Sequence, residues 1–294
     1  MLENVPSVRE RAERGELCCG TMDTWIIYVL TGGKTHKTDL SNAARTLLLD
    51  IRNGIWDDVA CAAFEIPKSL LPTICDSDAC FGETDLGGLL DKPIPIHAAI
   101  GDSNAALYAQ GCHARGDCMT GYGTGSSVMM NIGNVPILSD RGILTAVAWR
   151  ANAQTHYMFD GVVNYSGAVV DWLVKDLAIV QSSAETDAVA SSANPADRTY
   201  LVPAFTGMGA PYWSNRSNAV FTGMTRLTGR AELVRAALES VAYQIADLVL
   251  AMGESAGVQV TSMRVSGGPT RNRYLMQFQS DVLNCKVLVP SNSE

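Results

Sequence analysis

The chain has 294 residues, more than a single hydrophobic core usually organises, so two domains are predicted. Hydrophobic residues make up 47% of it and charged residues 18%, which is typical of a globular protein and excludes a disordered one. The formal net charge of −8 disfavours nonspecific binding to nucleic acid or to an anionic membrane, because both carry dense negative charge.

The amino-terminal run MLENVPSVRERAERGEL is too charged for a signal peptide. No apolar run approaches the roughly 18 residues that span a bilayer. Eight cysteines in a chain of this length, without a secretory leader, indicate free thiols, and none of their spacings matches a structural zinc site. We therefore expect a cytoplasmic protein with no metal bound by its cysteines.

The first third of the chain predicts short helices and buried segments. Residues 8–15 predict a helix, residues 25–30 fit a buried helix or strand equally, and residues 56–64 repeat apolar positions at helical spacing. Residues 94–100 predict a strand, residues 101–104 a polar turn, and residues 105–110 the start of a helix. Open α/β sheets bind ligands at the carboxyl ends of strands, so this turn is a candidate site.

A new pattern begins after residue 113, and we place the boundary there, between domains of residues 1–113 and 114–294. Two β-like runs flank residues 123–126 and predict a hairpin. Further on, helices are predicted over residues 169–177, 232–252 and 273–283, and strands over residues 143–149, 156–159, 200–205, 263–265 and 286–289. The polar, alanine-rich residues 182–198 are interpreted as a helix pair or a mobile surface segment.

Asp102 is the first candidate for chemistry. A carboxylate held after a strand and beside Gly101 suits a general base, because a substrate can approach the bare backbone. The alternative is a helix N-cap, which residue preferences alone favour before an alanine-rich helix. Ser103 or Asn104 could also provide the cap, so both roles could coexist in this turn.

Two glycine-rich segments form the other candidates. YGTGSS, residues 122–127, could hold phosphate oxygens with convergent N–H groups and the hydroxyl of Thr124 or Ser126, although an ordinary hairpin turn explains it equally well. SGGPTRN, residues 266–272, and Ser166-Gly167 each open a helix and could present its N-terminus to a flat or anionic ligand.

The chain contains no Walker A or Rossmann motif. A G-x-S-x-G run around Ser255 follows a helix, which excludes a nucleophile elbow.

Taken in order, these motifs resemble the FGGY carbohydrate kinase family and are most similar to glycerol kinases. Residues 15–51 resemble a middle segment of glycerol kinases, and GDSNAAL is similar to their catalytic aspartate turn, G-D-Q-Q-A-A-L. The family's order continues through YGTGSS, SGAVVDWL, VPAFTGMGAPYW and SGGPTRNRYLMQFQSDVL. Residues 219–239 fit the second FGGY signature, so the resemblance covers nearly the whole chain.

The resemblance implies an α/β protein with the actin-like, ribonuclease H-like fold, in which two domains flank a cleft and the first is incomplete here. It implies phosphorylation of a sugar or polyol hydroxyl with ATP and Mg²⁺ as cofactors, and it is compatible with a homo-oligomer. Asp102 would be the catalytic base, with Ser103 and Ser127 at substrate positions. The positions that resemble the family's nucleotide contacts are Thr124, Gly125, Gly167, Asp171, Gly268 and Asn272.

The sequence departs from glycerol kinases at several of these positions. They usually carry a glutamine where Asp171 stands, an aromatic residue at Ser127, and Gln-Gln at Ser103-Asn104. Loss of an aromatic wall makes a larger or more polar substrate, such as a pentulose or a tetritol, an alternative to glycerol. A second alternative is a non-catalytic actin-like nucleotide-binding module, which needs no base.

The family's chain normally begins with a D-x-G-T-T-like phosphate loop, followed by an Arg-Glu pair and a Trp that hold the polyol. The present sequence resembles the family only beyond these elements, and it stops before an alanine- and glycine-rich helix. We therefore expect most Mg²⁺ ligands to lie outside the 294 residues. For the same reason we expect the chain alone to have little or no kinase activity.

Overall fold

A computed structural model describes Leu2 and residues 4–291 of the chain. These residues form two compact units. Unit 1 contains the described residues up to Tyr108, together with Gly133–Pro136 and Ala146–Met158. Unit 2 contains Ala109–Ile132, Ile137–Thr145 and the described residues from Phe159 onward. The predicted domain boundary after residue 113 stays a prediction.

The amino-terminal part of the chain is built from short elements. They are α1 (Val8–Glu13), α2 (Met22–Leu30), β1 (Lys37–Asp39), α3 (Leu40–Ala43), β2 (Leu49–Asp50), β3 (Ile55–Trp56), α4 (Asp58–Ala63), β4 (Thr73–Cys75), β5 (Gly82–Thr84), β6 (Ile94–Ile96) and α5 (Asp102–Ala109). Strands β1 and β4 pair in parallel, and β5 pairs with β6 antiparallel. Residues 25–30 belong to helix α2, so they form a helix and not a strand.

The strand predicted over residues 94–100 is wrong in its length. Strand β6 ends at Ile96 and, in the part of the chain that the structure describes, pairs with β5 alone in a two-stranded antiparallel sheet. Pro95 lies within it, and a proline has no N–H to donate to a second neighbour, so the strand stays at an edge. Residues 97–100 are irregular, and helix α5 starts directly at Asp102. Asp102 therefore does not follow the carboxyl end of a strand.

The rest of the chain carries longer elements. They are β7 (Cys118–Tyr122), β8 (Ser126–Gly133), β9 (Leu144–Ala151), β10 (Gln154–Val163), α6 (Gly167–Lys175), α7 (Glu185–Ser191), β11 (Tyr200–Val202), β12 (Val220–Thr222), α8 (Arg230–Ala256), β13 (Ser262–Ser266), α9 (Arg273–Leu283) and β14 (Lys286–Leu288). The helix predicted over residues 273–283 is confirmed, while residues 182–198 contain the single helix α7 in place of a helix pair.

The main sheet has the strand order β14-β13-β7-β8-β10-β9. Strand β13 lies parallel to both β14 and β7, so the carboxyl ends of β13 and β7 meet at one edge, where Ser266 stands opposite Gly121. Strands β7 and β8 form an antiparallel hairpin in which Tyr122 pairs with Ser126. This confirms the hairpin predicted around residues 123–126.

Helix α8 organises the core of unit 2. The Glu232 side chain accepts the Gly229 N–H at 2.9 Å, which caps the first turn, and Gly257 ends the helix with a φ of 63° in the left-handed region. One buried cluster joins α8 to α6, α7 and β11. Its members are Val169, Leu173, Val180, Ala190, Leu201, Val234, Ala236, Ala237 and Leu238. No helix within the described part of the chain is long and apolar enough to cross a membrane.

Candidate active site

Asp102 is the first residue of helix α5, and its side chain is exposed. Its Oδ1 accepts a hydrogen bond from the Ser103 N–H at 2.6 Å. The preceding residue, Gly101, occupies the N-cap position, because its carbonyl accepts the Ala105 N–H at 2.7 Å. The N-cap alternative for Asp102 is therefore wrong, because the N-cap is the residue before it. Asp102 carries its carboxylate on the first turn of α5.

Asn104 does not cap the helix either. Its side-chain Nδ2 donates to the carbonyls of Val147 at 3.0 Å and Ala148 at 2.8 Å, and the residue is buried. This anchors the first turn of α5 to a backbone segment more than 40 residues away in the chain. The exposed carboxylate of Asp102 is thus carried by a well-anchored backbone.

Unit 2 contains a cavity of about 520 Å³ at the carboxyl ends of β7 and β13. Its walls come from the β7–β8 turn, helices α6, α7, α8 and α9, and the 3-10 helix Gly268–Arg271. The lining residues are Gly123, Thr124, Gly167, Val170, Asp171, Ser183, Ala184, Thr186, Asp187, Leu238, Gly268, Pro269, Arg271, Asn272 and Leu275. Its volume lies in the range of small-molecule sites, about 300–1,000 Å³.

Five residues that the sequence places at nucleotide positions line this one cavity: Thr124, Gly167, Asp171, Gly268 and Asn272. They come from segments up to about 150 residues apart in sequence, so no local pattern brings them together. Gly125 is not among the lining residues; its carbonyl accepts the Gly123 N–H at 2.8 Å. Ser127 lies in strand β8, opposite Gly121, and Asp102 and Ser103 belong to unit 1.

Close backbone approaches hold the β7–β8 turn in place. The carbonyl of Thr124 accepts the N–H groups of Ser166 and Ala168, both at 3.0 Å, and the carbonyl of Gly123 accepts that of Gly167 at 2.9 Å. A Cβ on Gly167 would stand 2.6 Å from the Gly123 carbonyl oxygen. The start of α6 therefore lies against the turn at a distance that only glycine allows.

Gly267 makes the matching approach from the other side. Its φ of +98° lies in the region that side chains disfavour, and a Cβ there would collide with the Tyr122 carbonyl oxygen. Gly268, the next residue, has no atom within 4 Å of its own Cβ position. The first glycine of this pair therefore shapes the backbone, while the second leaves open space in the cavity wall.

Helix α7 supplies a wall that the sequence did not predict. Asn272 Nδ2 donates to Thr186 Oγ1 at 2.9 Å, and Asp187 Oδ1 accepts the Tyr274 N–H at 3.1 Å. Asn272 Oδ1 also caps α9 by accepting the Leu275 N–H at 2.9 Å. Residues 183–187 match no motif, so only their tertiary contacts assign them to the candidate site.

Tyr274 connects α9 to α8 as well. Its hydroxyl donates to Glu239 Oε1 at 2.6 Å. Burial raises the pKa of the Glu239 carboxyl above its ordinary value, although the hydrogen bond from Tyr274 opposes that shift. Burial, together with the hydrogen bond to Glu239, also raises the pKa of the Tyr274 phenol. The tyrosine therefore remains protonated at neutral pH and acts as a hydrogen-bond donor.

Asp171 reaches the cavity from the exposed side of α6. Its Oδ2 accepts a hydrogen bond from Lys175 Nζ at 2.7 Å, one helical turn on, and both side chains are largely exposed. The hydrogen bond and charge of Asp171 raise the pKa of the Lys175 ammonium. Across Leu2 and residues 4–291, no three His, Cys, Asp or Glu side chains are placed to hold a metal ion.

Together, the α/β fold and this cavity define a protein with a candidate small-molecule site at the carboxyl ends of parallel strands. Comparison with protein-family models assigns both parts of the chain. Residues 1–109 match the amino-terminal domain, and residues 118–294 the carboxyl-terminal domain, of the FGGY family of carbohydrate kinases. The chain belongs to this family, so the predicted family membership is confirmed.

Sequence relatives support the same family assignment. The chain is 47% identical over 294 residues to the glycerol kinase of Alkalilimnicola ehrlichii and 45% identical to glycerol kinase 1 of Thermotoga maritima. Each alignment covers 100% of this chain, but only 59% and 60% of the relative. The chain therefore spans about three-fifths of the length of the curated relatives that it matches.

Solved structures give the same fold. The structure of Plasmodium falciparum glycerol kinase with ADP matches with a TM-score of 0.93 at 32% identity, covering 100% of this chain and 58% of that one. The xylulose kinase of Rhodospirillum rubrum matches with a TM-score of 0.77 at 24% identity, covering 90% and 54%. The latter shows the fold alone. The predicted actin-like, ribonuclease H-like fold class is confirmed.

Proposed function

We propose that this chain is the larger part of an ATP-dependent kinase that phosphorylates a hydroxyl group of a sugar or polyol, as glycerol kinases do. The observation that carries the proposal is the cavity of unit 2, which is lined by five residues at the family's nucleotide positions. Both FGGY family models and the glycerol kinase relatives support the same activity. The structural neighbour from Plasmodium falciparum was solved with ADP.

The cavity suits the adenosine part of a nucleotide. Its volume of about 520 Å³ accommodates a base and a ribose, and Gly268 leaves space against the wall. The first N–H groups of α6 already donate to the β7–β8 turn, so they are not the donors for phosphate. We assign that role to the turn itself, with the Thr124 hydroxyl as a neutral donor.

Asp102 is the proposed general base. Its exposed carboxylate, on the first turn of α5, would accept the proton of the substrate hydroxyl. The oxygen of that hydroxyl would attack the γ-phosphorus of ATP in line, while the bond from this phosphorus to the β–γ bridging oxygen breaks and ADP leaves. ATP would supply the phosphoryl group, and Mg²⁺ would offset the negative charge of the phosphates. Ser103 and Ser127 are proposed substrate contacts, and Gly125 is proposed to support the phosphate turn.

The decisive experiment extends the reading frame in both directions and measures ADP release with glycerol, erythritol, D-xylulose and L-ribulose. Phosphorylation of one of these substrates, with a loss of about 100-fold or more in kcat for Asp102→Asn, supports the proposal. A parent enzyme that phosphorylates none of them, or an Asp102→Asn enzyme as active as the parent, contradicts it. The second result would favour the non-catalytic nucleotide-binding module.

The substrate panel also separates glycerol from its alternatives. Ser127 stands where glycerol kinases usually have an aromatic residue, which removes an apolar wall and leaves room for a longer polyol. Restoring the aromatic residue with Ser127→Phe should then improve the ratio of kcat/KM for glycerol to that for erythritol or the pentuloses. A ratio that does not change would remove Ser127 from the substrate site.

The 294-residue chain by itself is proposed to have little or no kinase activity, because it spans about three-fifths of its relatives. Robust ADP release that depends on both ATP and a polyol, by the purified chain alone, would overturn this. We propose the cytoplasm, where ATP is available, as the place of action. The resemblance is compatible with a homo-oligomer, and sedimentation of the extended protein can test this.

A further inference from the structure

Asp39 carries a fully buried carboxylate near the Asp102 turn, within unit 1. It ends β1 and caps α3, and its exposed fraction is 0%. Its Oδ1 accepts hydrogen bonds from Ser41 Oγ at 3.0 Å and from Asn42 N and Nδ2 at 2.9 and 2.7 Å. Its Oδ2 accepts from Ser41 N at 3.0 Å and Ser77 Oγ at 2.8 Å. Five donors therefore surround one carboxylate.

The five hydrogen bonds exceed what a cap of the four-residue helix α3 requires. A cap needs only the backbone N–H groups of Ser41 and Asn42, yet three side-chain donors also converge on Asp39. Ser77 comes two residues after β4, the parallel partner of β1. The carboxylate thus joins the ends of two neighbouring strands.

Ser41 connects the Asp39 carboxylate to the Asp102 turn through hydrogen bonds. A serine hydroxyl has one proton, and Ser41 donates it to Asp39, so its oxygen is left as an acceptor. That oxygen accepts the Gly101 N–H at 2.9 Å. Gly101 is the residue directly before Asp102, and it lies 60 positions after Ser41 in the chain. The orientation of the hydroxyl, and hence of the acceptor, is set by Asp39.

The Asp102 side chain is weakly anchored by its own hydrogen bonding. Within Leu2 and residues 4–291, this side chain makes one hydrogen bond, which it accepts from the N–H of its neighbour Ser103. The flanking residues are instead anchored on both sides: Gly101 through Ser41, and Asn104 through the carbonyls of Val147 and Ala148. The position of the carboxylate therefore depends on the backbone of residues 101–104.

We propose that Asp39 and Ser41 are positioning residues for the reaction, and that they act by fixing the Gly101 N–H so that the Asp102 carboxylate is presented to the substrate hydroxyl. This rests on the proposed role of Asp102 as the base. Neither residue touches the reacting atoms; the effect is transmitted through one backbone hydrogen bond.

Ser41 and Ser77 allow a matched test. The hydroxyl of each donates one hydrogen bond to Asp39, but of the two only Ser41 accepts the Gly101 N–H. Ser41→Ala removes both a donor to Asp39 and the acceptor of the Gly101 N–H. Ser77→Ala removes a donor to Asp39 and the acceptor of the Arg150 N–H at 3.4 Å, but it leaves the acceptor of the Gly101 N–H in place. In the extended kinase, Ser41→Ala should lower kcat by about 10- to 100-fold, with KM values unchanged within threefold, because a small misplacement of a base slows the chemical step. Ser77→Ala should stay within threefold of the parent in kcat.

Hydrogen exchange tests the structural step without any enzyme assay. In the 294-residue chain labelled with ¹⁵N-glycine, the Gly101 amide should exchange about tenfold faster in Ser41→Ala than in the parent or in Ser77→Ala. The Gly33 amide, which donates to the Tyr28 carbonyl at 2.8 Å just after α2, is the internal reference and should not change. Ser41→Cys fills the same space with a weak acceptor, so it should show faster exchange at Gly101 even if the alanine variant does not fold.

Equal effects of the two alanine variants on kcat, or unchanged exchange at Gly101 in both Ser41 variants, overturn the proposal. Failure of the proposed function shows differently. If Asp102→Asn retains full activity, Asp102 is not the base whatever the Ser41 variants do, while the exchange of Gly101 still decides whether Ser41 anchors the turn.

Discussion

The Asp102 turn of unit 1 and the cavity of unit 2 are held in shape by opposite means. The turn depends on buried side-chain groups, with the Asp39 carboxylate and the Ser41 hydroxyl leading to the Gly101 N–H. The cavity depends on the absence of side chains, because Gly167 and Gly267 let backbones approach each other closely. The first region should therefore be sensitive to the loss of an atom, and the second to the gain of one.

Gly267→Ala should have the largest effect on the cavity. The added methyl group meets the Tyr122 carbonyl oxygen, and φ is +98°, so the free energy of unfolding should fall by about 3 kcal/mol in urea denaturation. Gly268→Ala is the matched control, because no atom lies within 4 Å of its added Cβ, and its stability should match that of the parent. Equal losses in both variants would show that close approach is not what makes the cavity sensitive.

Thr186→Val should have an intermediate effect, because it replaces a hydrogen-bonding hydroxyl by a methyl group of similar size, in the region that we expect to tolerate the loss of a polar atom better. It leaves the Asn272 amide without its partner on α7, so unfolding should become easier by about 1 kcal/mol, and ADP affinity should fall several-fold. Calorimetric titration with ADP measures the second effect. Ser192→Ala, at an exposed position just beyond α7, is the control and should bind ADP as the parent does. An unchanged affinity in Thr186→Val would remove α7 from the proposed nucleotide site.

A pH titration should detect a smaller effect at the start of α8. Hydrogen bonds from the backbone of Asn194 and Gly229 hold the pKa of the Glu232 carboxyl below its ordinary value of 4.5. Since the folded state has the lower pKa, the stabilisation is fully present above 4.5 and is lost as the pH falls through the lower, folded-state value. The parent should lose this increment of unfolding free energy in acid, whereas Glu232→Gln should lack it at neutral pH. A Glu232→Gln curve parallel to the parent's throughout would refute the assignment.

Lys175→Met should have the smallest effect. The ion pair with Asp171 is largely exposed, and solvent screens such pairs. The urea midpoint should stay within experimental error of the parent's. Two results together would contradict this: a clear loss of stability in Lys175→Met, and a similar loss when salt is added to the parent. The ion pair would then contribute more to the stability of the cavity wall than its exposure indicates.

Local patterns predicted much of unit 2. The β7–β8 hairpin and helix α9 depend on residues close together in sequence, so turn chemistry and helical periodicity suffice to find them. The strand before Asp102 was wrong because Pro95 confines β6 to an edge. The Ser41–Gly101 hydrogen bond spans 60 residues, and no periodicity reports a contact of that kind.

The candidate site was predicted in part for the same reason. Glycine-rich junctions such as Gly267-Gly268 stand out in a sequence, and the resemblance to the family named five lining residues before any geometry was known. Helix α7 has no such composition. Thr186 and Asp187 reach the cavity only because α9 binds them, through Asn272 and the Tyr274 N–H.

The close approaches around residues 122–124 also affect how unit 2 folds. This short turn is contacted by the start of α6, more than 40 residues later, and by Gly267, more than 140 residues later. Such contacts close long loops, so the cavity is complete only when distant parts of the chain have assembled. A ligand of the cavity would therefore bind the assembled unit alone and would raise its melting temperature in proportion to the logarithm of ligand concentration.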